Sequence, residues 1–323
     1  MKSAVKSADG NIISRLTDLL SSQSIVRTNM RSLYTILIPL LLAACSSDKL
    51  VNTEPMKDNR TSVNITTRAE EGDNTTGLLA GLYMVNYQNG NPDELLPANN
   101  YVNNQLLSWD KGTWQTATPI YWNDMDTQAD FYAYAPYMSG VADARNIPFQ
   151  VSQDQRSEEA FAKSDLLWGT VLGQMPTSSD FELTLQHLLS RLTVNVTADT
   201  GFDEGELRAE DVNVTIGGTL RAATFDAMTA ALTLVEGSVS DVICHSNGNL
   251  SYSAILLPQQ VPFTNLIQVD WKGNKYTLQN NFTLEARKQY TLTVKLKKTK
   301  SGFDIGIEGW DILPDDFGGA VGG

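Results

Sequence analysis

The residues with the most definite chemistry form one short box, Leu42-Ala43-Ala44-Cys45. A thiol set directly after Leu-Ala-Ala is what lipoprotein processing requires: the sulfur accepts a diacylglycerol, and the amine freed by cleavage takes a further acyl chain. Two or three chains hold a protein firmly at a membrane, whereas one holds it marginally. Cys45 is therefore read as a lipidation site. The stretch ahead of it agrees, with a basic start at Met30-Arg31-Ser32, an apolar centre over residues 33–42 and the small Ala43 and Ala44 before the cut. About a dozen apolar residues fall short of the ~20 that span a bilayer, so this is a signal and not a transmembrane anchor. The competing account, a buried helix ending in an ordinary cysteine, fits poorly with the polar Ser46-Ser47-Asp48-Lys49 that follows at once. Signals begin a chain and Met30 is a natural start, so residues 1–29 read as a non-native extension and 30–44 as the signal peptide. Ser46 after the cysteine is compatible with the outer membrane.

The other groups that could do chemistry do not assemble into a site. There are two histidines, His187 and His245, with no HExxH and no third partner, so zinc held by histidine is not expected and His187 reads as structural. Asp124, Asp126 and Asp130 open like a calcium loop, but its sixth and twelfth positions are Ala129 and Ala135, where an EF-hand needs Gly and Glu. Asp199, Asp203, Glu204 and Glu206 read as a solvated acidic linker. GxSxG, GxGxxG and Walker loops are absent. Trp109, Trp114, Tyr121 and Trp122 could stack on sugar rings or pack in a core. No catalytic centre, metal or cofactor is expected, and the chain is not read as an enzyme. A formal charge of −13 argues against nucleic acid and against broad contact with anionic lipid, since both recruit Lys and Arg. Cys244 has no partner once Cys45 is lipidated, and reads as a small core residue.

Strands must carry these side chains. Residues 45–73 are polar and read as a lipidated leader, either a tether or a loosely held first strand. Beyond them the apolar period is two: Leu192, Val194 and Val196 alternate with Thr193, Asn195 and Thr197, and Val212, Val214 and Ile216 with Asn213 and Thr215. Tyr290, Leu292, Val294 and Leu296 face one way, while Thr291, Thr293, Lys295 and Lys297 face the other, a solvated side that also guards against edge pairing. Ile267, Val269 and Trp271 lead through a Gly273-Asn274 turn into Tyr276 and Leu278. Phe181, Leu183 and Leu185 are apolar at odd positions and Leu192 onward at even ones, so a bulge, bend or short helical turn must intervene near 186–191. One short helix is expected within 158–167. The class is mainly β, with two sandwiches over 74–200 and 201–323 and the boundary at 199–206.

Several motifs occur in a specific order. Ile120-Tyr-Trp, Ala129-Asp-Phe-Tyr-Ala-Tyr-Ala-Pro136, Ser164-Asp-Leu-Leu167, His187-Leu-Leu-Ser-Arg-Leu192, Leu257-Pro-Gln-Gln260 and Arg287-Lys-Gln-Tyr-Thr-Leu-Thr-Val294 run on to Ile307-Glu-Gly-Trp310. This ordered set resembles the fimbrillin family of Bacteroides-type bacteria, the subunits of type V pili, over residues 78 to 310. The resemblance implies a lipoprotein precursor with two transthyretin-like β-sandwich domains in tandem, exported to the outer membrane, trimmed by an arginine-specific protease and assembled by strand exchange with other pilus subunits. On that reading the cut follows Arg68 and leaves Ala69 as the new N-terminus, with Arg60 the runner-up. The groove left behind would demand a strand, which a neighbour supplies by β-augmentation. Phe303, Ile305 and Ile307 alternate as such a donor should, whereas Pro314 and the glycines from Gly318 onward do not. A host protein or glycan ligand stays open. The competing function is a surface glycan-binding lipoprotein of a nutrient-uptake system, which would keep its lipid and use its aromatics.

Overall fold

The computed structural model describes residues 60–66, 78–110, 113–299, 302–306 and 315–316. Cys45, Arg68, Ala69 and Ile307 lie outside the described residues. In chain order the strands are β1 (Ile65–Thr66), β2 (Leu79–Gln88), β3 (Asn91–Pro92), β4 (Val102–Asp110), β5 (Thr113–Gln115), β6 (Ala129–Ala135), β7 (Ile147–Gln150), β8 (Leu167–Gln174), β9 (Phe181–Glu182), β10 (Gln186–His187) and β11 (Ser190–Ala198). There follow β12 (Val212–Leu220), β13 (Ala222–Asp226), β14 (Ala231–Leu234), β15 (Val239–Ile243), β16 (His245–Gly248), β17 (Ser251–Leu256), β18 (Gln259–Trp271), β19 (Asn274–Leu284), β20 (Lys288–Thr299), β21 (Gly302–Gly306) and β22 (Asp315–Asp316). The fold is mainly β.

The first half is built on a nine-stranded sheet in the order β10-β8-β6-β2-β4-β5-β1-β9, with β3 on β2. Its two end strands, β9 and β10, are joined by residues 183–185 alone, so the sheet curls on itself around Leu82, Met84, Trp109, Phe131, Phe181 and Leu185. The outer face of β2 and β6 is covered as well. Tyr83, Val85, Tyr132 and Tyr134 pack there against Ile147 and Phe149 of β7 and Phe225 of β13, which belong to a three-stranded sheet, β14-β13-β7. Burial on both faces explains why Ala129-Asp-Phe-Tyr-Ala-Tyr-Ala135 is buried throughout and shows no polar alternation. Its one charge, Asp130, accepts from the Gly173 amide at 2.7 Å and from the Tyr132 hydroxyl at 3.3 Å.

The second half packs a six-stranded sheet, β16-β17-β11-β20-β21 with β22 on β20, against a four-stranded one, β15-β12-β18-β19. Leu192, Val194, Val214, Ile216, Val269, Leu292 and Val294 fill the core between them, each from the face its alternation assigns. The odd-to-even switch falls where the chain changes sheets: β10 pairs with β8, and three residues after His187 the strand β11 is paired with β17 and β20. β11 precedes the acidic linker at 199–206, yet its partners follow it, and β7 reaches across to β13. Two local expectations need correction. β20 is an interior strand, flanked by β11 and β21, so its lysines guard no free edge. The hairpin turn is Lys272-Gly273, one residue earlier than expected; both have positive φ, 51° and 82°, the pair a two-residue type I′ turn demands. The short helix α1 (Glu158–Lys163) is present, with the Ser157 hydroxyl accepting from the Ala160 amide at 3.1 Å.

Two buried amides act as substitute strand residues. Gln155 is fully buried, donates to the Ile255 carbonyl at 2.8 Å and accepts from the Ile255 amide at 2.9 Å, fastening the segment after β7 to β17. Gln259 does the same for Leu220, at 2.7 and 2.9 Å. Gln155→Leu keeps the volume and strands both Ile255 groups. At about 1–3 kcal/mol for each buried unsatisfied group, the urea midpoint should fall by an amount worth several kcal/mol; an unchanged midpoint would show that the clamp contributes nothing.

Candidate functional site: the cradle of the first strand

Residues 61–66 read Thr-Ser-Val-Asn-Ile-Thr, with Val63 and Ile65 alternating against Ser62, Asn64 and Thr66. They form an extended strand lodged between two neighbours. On one side β1 runs parallel to β9, pairing Ile65 with Phe181 and Thr66 with Glu182, while the Phe181 amide donates to the Asn64 carbonyl at 3.1 Å and the Leu183 amide to the Thr66 carbonyl at 2.8 Å. On the other side it runs antiparallel. Thr66 pairs with Thr113 of β5, the Val63 amide donates to the Ile120 carbonyl at 2.8 Å, and the Trp122 amide donates to the Thr61 carbonyl at 2.9 Å. Ile65 is 5% exposed and joins the core of the curled sheet with Trp114, Ile120, Trp122 and Phe181. The strand is thus a structural plug: withdrawing it would open two rows of backbone groups and the core between them.

The antiparallel side is incomplete. Between the pairs Ser62 with Tyr121 and Thr66 with Thr113, three residues of the first strand, 63–65, face seven of its neighbour, 114–120. The neighbour loops outward, and a cleft lined by Val63, Ile65, Trp114, Gln115, Pro119 and Ile120 opens beside the strand. At the strand's start the exposed Arg60 guanidinium lies 4.1 Å from the centre of the Tyr121 ring, and the Thr61 hydroxyl is 3.2 Å from the Met125 sulfur.

The remaining sequence candidates separate. Phe303 and Ile305 fall on β21, paired antiparallel with Lys298 and Leu296 at the edge of the six-stranded sheet. Trp109, Trp114 and Trp122 are 6%, 8% and 2% exposed, and the first two pack edge to face at 5.2 Å, so these indoles are core and offer no open platform to a sugar. The Asp124 carboxylate organises a turn by accepting from the Thr127 hydroxyl and the amides of 126 and 127. These bonds hold it down at about 2, so the turn keeps its charge until the pH falls that far. His187 Nδ1 sits 2.7 Å from Asp165, a structural placement. Burial pushes the Cys244 thiol upward, as for an inert core residue. Among the described residues no group of three or more His, Cys, Asp and Glu side chains could hold a metal ion. The sequence leaves the first strand unplaced within residues 45–73, because the two apolar positions of a six-residue strand are too short a period to locate within a polar leader.

The family model described as fimbrillin-like matches residues 67–310. The chain belongs to the fimbrillin-like family. The matched region opens directly after the first strand and closes at Trp310. A candidate fimbrium subunit, Fim1C, of Bacteroides uniformis is 26% identical over 306 residues, covering 89% of this chain and 96% of its own length. The fimbrillin-like fold recurs in crystal structures of candidate cell adhesion proteins from Bacteroides uniformis (TM-score 0.60, 21% identity, 81% of this chain and 99% of the other) and Bacteroides ovatus (TM-score 0.62, 16% identity, 80% and 99%).

Proposed function

We propose that this fimbrillin-like chain is a structural, non-enzymatic subunit of a cell-surface fimbria. It is made as a lipoprotein precursor held at the outer membrane through Cys45, with two transthyretin-like sandwiches in tandem, the second of which takes in β11 from ahead of the 199–206 linker. An arginine-specific protease cuts it after Arg68, and a neighbouring subunit replaces the first strand with its own. The observation that carries this reading is the plug: residues 61–66 fill a slot in the sheet and cap its core, and Arg68 lies two residues beyond them. A name for a relative that speaks of a fimbrium subunit supports the same role.

The two arginines have opposite consequences. A cut after Arg60 leaves 61–66 attached to the body and the slot filled. A cut after Arg68 puts the whole strand on the lipidated fragment, where it is held only by hydrogen bonds and apolar contacts. Only the second frees the slot, which favours Arg68. The donor assigned is the segment bearing Phe303, Ile305 and Ile307, since β21 already lies at a sheet edge and can leave it without disrupting a ladder on its far side. The test is the mature N-terminal residue of surface protein. Ala69 is expected. Thr61, or a lipidated Cys45 throughout, would exclude assembly by release of the first strand.

A further inference from the structure

Resting on the strand-exchange reading, we infer that the cleft beside residues 63–65 is the entry site at which a donor strand first seats, so that exchange proceeds by invasion rather than by prior departure of the first strand. After cleavage the first strand is still lodged in the sheet, bonded to β9 and Leu183 over residues 64–66 and to 120–122 through Thr61 and Val63. Its spontaneous departure would expose Ile65 and the aromatic core beneath, which is costly. A route that never empties the slot avoids that cost.

The geometry supplies such a route. In an extended strand, residues of one parity turn both backbone groups to the same side, so Val63, whose amide reaches Ile120, and Ile65 both face the outward loop of 114–120. Pairing on this side is confined to the strand's two ends. In between, Trp114, Pro119 and Ile120 supply apolar wall, while Gln115 and Asp180 form a polar rim. An extended segment with apolar residues at alternate positions fits a cleft of this kind: one side chain against the wall, backbone against the interrupted ladder. The occupant is the donor of a second copy of this chain, residues 302–307, in which Phe303, Ile305 and Ile307 have that spacing. Once one side chain is seated, each further pairing can displace one from the old strand.

The two routes differ in kinetics. Protein cut after Arg68 is mixed with a synthetic peptide of residues 301–310, and release of the first-strand fragment is followed by mass spectrometry. Invasion predicts a release rate that rises in proportion to peptide concentration. Gln115→Trp, at an exposed position on the rim, should fill the cleft and lower that slope roughly tenfold, the penalty for losing part of an apolar side chain's burial. Its final exchanged fraction should match the wild type. A release rate independent of peptide concentration, and unaltered by Gln115→Trp, would overturn the inference while leaving strand exchange intact. No release at saturating peptide would instead sink the exchange reading and the inference together.

Discussion

Arg68→Ala is expected to remain monomeric under an arginine-specific protease that converts the wild type into SDS-resistant ladders. With the bond intact, residues 61–66 are tethered to the body that they plug. A short tether gives its end an effective concentration of roughly millimolar, so a donor from another molecule competes at a disadvantage of about 10²–10⁴-fold. A cut of the mutant after Arg60 has no consequence, because Thr61 to Thr66 stay attached and keep Ile65 in the core. Electron microscopy should show filaments from the wild type alone. Polymers formed by the uncut mutant would rule the mechanism out. A correctly cut wild type that never polymerises, alone or with other fimbrial subunits, would count against it equally.

The second large effect concerns the core of the other half. Leu292 and Val294 are 3% and 1% exposed and stand beside Val194 and Val196 in the parallel pair β11 and β20. Leu292→Asp or Val294→Asp buries a carboxylate among apolar groups with no partner, at a cost of several kcal/mol against a total stability of about 5–15 kcal/mol for a domain. Either variant should be insoluble or unfolded at 25 °C. Thr293→Asp, one residue away on the half-exposed face, should melt within a few degrees of wild type by circular dichroism. Equal melting of all three would refute the assignment of faces.

What could be read from the sequence follows the range of the interactions involved. The β20 pattern is legible because alternation is local and one face is wet, and Leu192, Val194 and Val196 are legible for the same reason. Ala129 to Ala135 gives no such signal, because a strand covered on both faces has no polar side to alternate with. The parallel pairing of β11 with β20, a hundred residues apart, depends on loop closure and core packing that no short window contains. Trp109, Trp114 and Trp122 are core, the plainer of the two readings the sequence allows, since an aromatic residue suits a core or a ligand platform until its neighbours are known. The candidate site divides likewise. The proposed lipidation at Cys45 is read from its own box and the proposed cut at Arg68 from the family resemblance, whereas the plug depends on three segments, near 65, 120 and 181, that meet only in the fold.

The parallel pair of β11 and β20 also bears on how a filament carries load. In a filament joined through the proposed donor segment, a pull would arrive at the C-terminal end of β20. Once β21 is donated to a neighbour its pairing with Lys295 to Thr299 is gone, so the load would pass directly to β20. β20 is held lengthwise by an uninterrupted register from Arg191 with Gln289 to Ala198 with Leu296, and a pull along its axis loads all these rungs at once. Force passed through a donated tail would therefore meet a clamp that resists as a whole, with no hairpin arm to open ahead of it.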